Sequence, residues 1–315
     1  MLFEENFKNI YKKMTEVKPI NDQATGLKIG KFKASWLIAM ASWNLIKQDK
    51  EVLTFPILSA IFMFVVTGVI GIIFYLLVLG GQLSLTSGVE GSTATASLSN
   101  VSYFVEVIYA FVLYFITTFI TLFFETGIIT IIKGRLSGQD LTFNDGIENA
   151  RKKIKVILIW SFVSATVGTF LKIISDRSKL VGKIITALLG SAWSILTFFI
   201  APIIIVENLT IQESLKKSAE TIKRVWGESA IIGVGTGLAF FFLYLFGILA
   251  FIALIFTLNK FLIIGGFVLF VIYLIILSAI SSALSVVFRV VLYEYASTGQ
   301  VPAGFTADIL KMAIN

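Results

Sequence analysis

The chain has 315 residues, of which 57% are hydrophobic and only 14% charged, with a net charge of +7 and a mean hydropathy of +0.91. Soluble globular domains carry about 25% charged residues, so this composition excludes an ordinary water-soluble domain. Neither Cys nor His occurs, which excludes disulfides, thiolate or imidazole metal ligands, and histidine-based catalysis.

Residues 1–30 are polar and lysine-rich, without the apolar core or small-residue cleavage site of a signal peptide. Residues 33–50 read as an amphipathic interfacial helix. Trp36 and Trp43 are seven apart and share a face with Met40, where rings favour the membrane interface. Lys33, Lys47 and Lys50 reach toward headgroups. The alternative is that this segment simply begins the first span.

Six apolar runs follow, at 53–80, 103–132, 156–174, 181–206, 229–258 and 261–292. Each is close to or above the ~20 residues a helix needs to cross a bilayer. The expected fold is all-α: a polytopic membrane helix bundle of about six transmembrane helices with amphipathic cytoplasmic surface helices. Residues 1–52 form its cytoplasmic N-terminal segment, 53–292 the transmembrane domain and 293–315 a cytoplasmic tail. The Gly-, Ser- and Thr-rich stretch 81–102 reads as an external loop.

Orientation follows from the 26 basic residues. Nine lysines precede the first span (Lys8, Lys12, Lys13, Lys18, Lys28, Lys31, Lys33, Lys47, Lys50), and six basic residues follow the second (Lys133, Arg135, Arg151, Lys152, Lys153, Lys155). Lys216, Lys217, Lys223 and Arg224 follow the fourth, and Arg289 and Lys311 lie at the C-terminal end. The other side holds only Lys172, Arg177, Lys179, Lys183 and Lys260. Twenty-one against five puts both termini in the cytoplasm by the positive-inside rule. The four basic residues at the turn between the third and fourth spans are either tolerated beside Asp176 or mark a re-entrant hairpin.

Ile147, Ala150, Ile154 and Lys155 match Leu215, Ser218, Ile222 and Lys223 at a constant offset of 68. Both sets are amphipathic at helical spacing. The pattern describes either three helical hairpins, each preceded by a surface helix, or the common look of any interfacial helix entering a span.

Small residues recur in three spans. The third has Ser161, Ser164, Ala165 and Gly168, the fifth Gly233, Gly235 and Gly237, and the sixth Ser278, Ser281, Ser282 and Ser285. Small faces allow close helix packing; the alternative is a polar path. Glu125 lies eight residues before Lys133, roughly 12 Å along a helix. A carboxylate there has to be paired, protonated or beside water. Arg289, and Glu207 five residues after Pro202, lie toward the same side. Glu125 and Arg289 are expected either to tie the second span to the sixth or to line a proton-coupling or substrate site. Pro202 is expected to kink the fourth span. No catalytic constellation, metal cluster or cofactor motif stands out, and no nucleic-acid partner is expected.

The runs Ser164-Ala165-Thr166-Val167-Gly168, Ala192-Trp193-Ser194, Thr197-Phe198-Phe199-Ile200-Ala201-Pro202 up to Glu207, and Ser214-Leu215-Lys216-Lys217-Ser218 through Trp226-Gly227-Glu228 occur in that order. This resembles a family of prokaryotic multi-pass membrane proteins of unknown function, over about residues 35–300 in architecture and most specifically over 160–228. It is broadly similar to the membrane domain attached to some glycerophosphodiesterases, without their catalytic domain. The resemblance implies a six-helix protein of a bacterial or archaeal inner membrane and carries over no functional residues. The expected role is a non-enzymatic structural, interaction or lipid-associated module, with anionic headgroups at the cytoplasmic face as partners and self-association left open. The alternative is a small transporter or channel with Glu125 and Arg289 near its cytoplasmic side.

Overall fold

The computed structural model describes residues 31–86, 92–177, 180–207, 209–257, 259–302 and 305, with the side chains of 31–38, 78–102, 180–181, 225–236 and 238 outside the description. Nine α-helices run through these residues, and no strand occurs among them. They are α1 (Lys31–Gln48), α2 (Thr54–Thr86), α3 (Ser92–Leu136), α4 (Phe143–Lys152), α5 (Ile154–Arg177), α6 (Leu180–Leu196), α7 (Ile200–Val206), α8 (Ile211–Ile255) and α9 (Lys260–Thr298). A short 3₁₀ turn, Lys50–Leu53, joins α1 to α2.

Five segments are long and apolar enough to cross a membrane: Lys50–Leu77, Tyr103–Leu136, Ile154–Arg177, Gly182–Val206 and Lys260–Thr298. A sixth apolar stretch, Ala239–Ile255, is shorter and forms the end of the 45-residue α8. The helices overrun the predicted loop at 81–102, since α2 continues to Thr86 and α3 begins at Ser92.

Burial is concentrated at one end of the bundle, which also carries most of the basic residues. The core joins Leu45, Ile46, Val52 and Phe55 to the second half of α3, to α7, and to Val286–Tyr293 of α9. Beyond it the helices present apolar side chains outward; Phe64 is 81% exposed and Phe261 76%. Water does not tolerate so much contiguous apolar surface, whereas hydrocarbon matches it. Tyr293 and Phe305 belong to the core, and so do Leu45 and Ile46. Packing therefore crosses the boundaries expected at 52 and 292.

The basic end is interlocked where α1 meets α2. Asp49 accepts from Arg135 of α3 at 3.2 Å, and Arg135 also binds Asp140 at 2.8 Å. The Glu51 carboxylate accepts the Phe143 amide at the start of α4, where an acid complements the helix dipole. Phe55 is fully buried between two glycines. A Cβ on Gly127 would lie 2.0 Å from the Phe55 ring, and one on Gly146 would lie 2.6 Å from it.

The offset of 68 returns in the helix starts. Thr142 caps α4 and Thr210 caps α8, each in a reciprocal box with Asp145 or Glu213 three residues on. Ala150 and Ser218 are both completely buried. The two copies differ further on, because α4 ends before a break at Lys153 whereas α8 runs on unbroken. The surface helix expected ahead of the fifth span is thus the first part of one continuous helix.

The kink expected at Pro202 is displaced. The helix breaks at 197–199, and Pro202 sits in the first turn of α7. Proline is tolerated there because first-turn amides lack intrahelical acceptors, and the break removes the ring's clash with the carbonyl four residues before it. The Phe199 amide freed by the break donates to Ser218 Oγ at 3.3 Å.

Candidate functional site

Glu125 lies on α3 eleven residues before its end, and Arg289 lies on α9 nine residues before its end. At 1.5 Å per residue both are roughly 13–16 Å below the basic end. That common depth brings them together: Arg289 Nη2 lies 2.7 Å from Glu125 Oε1. Glu125 is 8% exposed, among Leu122, Phe124, Ile128 and Ile129. Oε1 has no hydrogen bond of good geometry, so the contact is a charge pairing rather than a directed bond. The Arg289 head is one-quarter exposed, and its Nε reaches the Ser285 carbonyl at 3.4 Å.

Beside Arg289, between α1, α8 and α9, is a cavity of about 140 Å³. Ser42, Gly237, Phe240, Ser281 and Ser285 are among its walls. Ser42 is 1% exposed, and its hydroxyl has no protein partner among the described residues.

Glu207 does not join this pair. Tyr293 donates its hydroxyl to one carboxylate oxygen and Lys217 closes on the other. Glu207, expected toward the same side as Glu125 and Arg289, thus belongs to a second cluster, where α7, α8 and α9 converge, while Glu125 and Arg289 join α3 to α9.

The small residues divide in the same way. Ser161 and Ser164 are buried on α5, and a Cβ on Gly168 would lie 2.9 Å from the Tyr114 ring, so this face packs closely on α3. Gly237 meets nothing within 4 Å and does not mediate packing. Gly233 lies in α8 but outside the described side chains. The close contacts of α8 with α9 fall instead at Gly247 against Tyr273 and at Gly266 against Leu254. On α9, Ser278 shares a hydrogen bond with Tyr244 at 3.1 Å, while Ser282 and Ser285 are exposed. Along the serine stretch the buried small residues are Ala279 and Ala283, offset by one position from Ser278 and Ser282, so the apolar side of α9 makes the core contact.

Trp43 packs partly against the core, with Lys47 5.8 Å above its ring. The buried face of α1 is Ser42, Leu45 and Ile46, continued by Asp49 just past its end, so α1 docks onto the bundle through that face. The Trp36 side chain lies outside the description. At the opposite end Lys172 binds Glu106 at 2.8 Å and Asp176 at 2.6 Å, which neutralises one of the four basic residues near that turn.

A family of unknown function, DUF6159, matches residues 101–305, close to two-thirds of the chain and nearly all of α3 to α9. The chain belongs to DUF6159. A search of curated proteins finds no match to it. The DUF6159 region contains both members of the Glu125–Arg289 pair, the Glu207 cluster and both capping boxes. Ser42 and Phe55 lie ahead of it. The cavity is thus walled by DUF6159 residues of α8 and α9 and by α1 from outside the match.

Proposed function

We propose that this protein is a non-enzymatic, six-span membrane module of a prokaryotic inner membrane, with both termini cytoplasmic and a basic face that associates with anionic lipid headgroups. The observation that carries the reading is where burial falls. Charged groups at depth are tied to each other, Glu125 to Arg289 and Glu207 to Lys217 and Tyr293, and Arg289 alone of them borders the cavity between α1, α8 and α9. A structural or lipid-associated role needs no more than that. The sixth crossing is made by α8, whose apolar Ala239–Ile255 extends from a polar, basic first half. Lys47, Lys155, Lys216 and Lys223 are exposed at the basic end, where each lies within reach of a negative leaflet. The resemblance to the membrane domain of some glycerophosphodiesterases agrees with a lipid-associated role.

Two measurements test it. Single cysteines at Glu90 and Glu148 are expected to differ in intact cells, with only residue 90 reacting with an impermeant thiol reagent; equal labelling removes the topology. Full-length protein in neutral detergent is expected to retain more anionic than zwitterionic lipid by native mass spectrometry. The excess should fall when Lys155, Lys216 and Lys223 become Gln.

A small transporter is the second reading, favoured by the cavity against Arg289. It requires water to enter from the cytoplasm. Modification of Ser285→Cys by an impermeant reagent in inside-out vesicles supports it, and protection there removes it.

A further inference from the structure

A second cavity opens at the end of the bundle away from the basic face. It is a groove of about 660 Å³ over one side of α3, flanked by Phe74 of α2 and Lys172 of α5. Its floor follows the helical spacing of Glu106, Ala110, Leu113 and Thr117. Glu106 and Thr117 are eleven residues apart, roughly 16 Å along a helix. Half of a hydrocarbon core about 30 Å thick is nearly the same length, so the groove is one leaflet deep. Below its mouth the walls are Leu113 and aromatic rings, with Phe74 stacked on Tyr109 at a centroid distance of 4.0 Å. The mouth carries both signs of charge. Lys172 gives Glu106 and Asp176 two of its three N–H donors. Glu106 accepts through Oε1, and its Oε2 has no partner among the described residues. The three side chains are 31–51% exposed, open to a headgroup. Two carboxylates against one ammonium leave this triad with an excess negative charge.

An anionic headgroup would bring its phosphate to Lys172 but set it beside two carboxylates. A plain organic cation would suit Glu106 but face the Lys172 ammonium. A headgroup with both signs meets both. We propose that this groove holds one zwitterionic phospholipid with a primary amine. Its ammonium donates to Glu106, its phosphate accepts the third N–H of Lys172, and one acyl chain lies along α3 beside Leu113 and the Phe74–Tyr109 stack. The lipid fills the space between α2 and α5, both of which pack on α3. The inference rests on the membrane-crossing bundle of the proposed function, with this groove in the leaflet opposite the basic face, but not on the surface lysines holding anionic lipid.

The test separates the two charges. Full-length protein in neutral detergent is titrated with short-chain phosphatidylethanolamine, short-chain phosphatidylglycerol and octylammonium, reading bound stoichiometry by native mass spectrometry. Phosphatidylethanolamine is expected to saturate at one per chain. Ala110→Phe, which fills the floor of the groove, should weaken it by at least about tenfold. Glu106→Gln should weaken it by about fivefold, the loss expected for a charged hydrogen bond at a half-exposed site, without weakening phosphatidylglycerol. Lys172→Met should also weaken it but strengthen octylammonium, because both carboxylates then face the cation. Opposite shifts in selectivity of this kind cannot come from a loss of fold. Changing Lys155, Lys216 and Lys223 to Gln should leave the site intact even where it removes anionic lipid from the basic face. The proposal is overturned if phosphatidylethanolamine does not saturate, or if its binding survives both Ala110→Phe and Glu106→Gln. Equal binding of phosphatidylglycerol with the same dependence on Ala110, or saturation by octylammonium alone, also overturns it. So does loss of phosphatidylethanolamine in the triple lysine variant, which places that lipid at the basic face.

Discussion

Arg289 of α9 sets its guanidinium 2.7 Å from the carboxylate of Glu125 on α3, linking two helices that lie far apart in the sequence. Glu125 is the more buried partner, so removing its counter-ion costs more than removing Glu125 itself. Breaking a fully buried pair from one side costs 3–5 kcal/mol. Because the arginine is one-quarter exposed, Arg289→Met is expected to lose about 2–3 kcal/mol and Glu125→Gln about 1–2 kcal/mol. The double variant should be more stable than Arg289→Met, which unfolding in detergent micelles can measure. A double variant no better folded than either single one means that the two charges do not stabilise each other.

Phe55 makes a second prediction at the same end. Its ring occupies the slot left by Gly127 and Gly146, against Phe143 at a centroid distance of 4.7 Å. Gly127→Ala puts a methyl where the ring is, and a buried ring has no free direction in which to move. Overpacking of this kind costs about 1–3 kcal/mol. Phe55→Leu leaves room for that methyl, so Gly127→Ala should cost clearly less in the Phe55→Leu background. Equal cost in both backgrounds would show that the ring is not what fills the slot.

The capping boxes predict a pH dependence. The Thr142 backbone amide and then its hydroxyl hold the Asp145 carboxyl below its usual range, and Thr210 does the same for Glu213. A carboxylate depressed in the folded state stabilises above its unfolded pKa and stops doing so as pH falls through the folded one. The window therefore lies below the ordinary values of 3.8 for Asp145 and 4.5 for Glu213. Amide exchange at the starts of α4 and α8 should be protected at neutral pH and accelerate, beyond its intrinsic pH trend, as pH drops below 4. Asp145→Asn should abolish that acid step for α4 alone.

Much of this architecture can be read from hydropathy, because a span needs length and apolarity and both are local properties of the sequence. The Glu125–Arg289 pair was legible for a related reason: few charges lie at that depth, and counting residues to the helix ends matches their heights. Glu207 was harder, since its partners Lys217 on α8 and Tyr293 on α9 lie ten and eighty-six residues away and only the folded chain brings them together. The break between α6 and α7 was read at Pro202, whereas the steric demand of the ring falls four residues earlier. The capping boxes were written in the sequence as Thr142 with Asp145 and Thr210 with Glu213, and their shared offset of 68 strengthens the repeat more than the apolar matches do. The packing glycines were not legible: Gly237 and Gly247 look alike in sequence, and only the facing Tyr273 separates them.

The Glu207 cluster gives the last prediction. Tyr293 is 2% exposed, and its ring contacts Phe199 at the break between α6 and α7. Its hydroxyl is therefore held where α7, α8 and α9 meet, and Glu207 is the acceptor that satisfies it. Tyr293→Phe keeps the ring and deletes the donor, leaving Glu207 to Lys217. A hydrogen bond to a charged group contributes about 1.5–3 kcal/mol, and Lys217 offsets part of the loss, so about 1–2 kcal/mol is expected in micelles. Glu207→Gln should lower stability too, and the two changes should add to less than their sum because both remove the same bond. Full additivity would mean that the hydroxyl and the carboxylate act independently, and the junction would then be held by Phe199 and the apolar face of α7 alone.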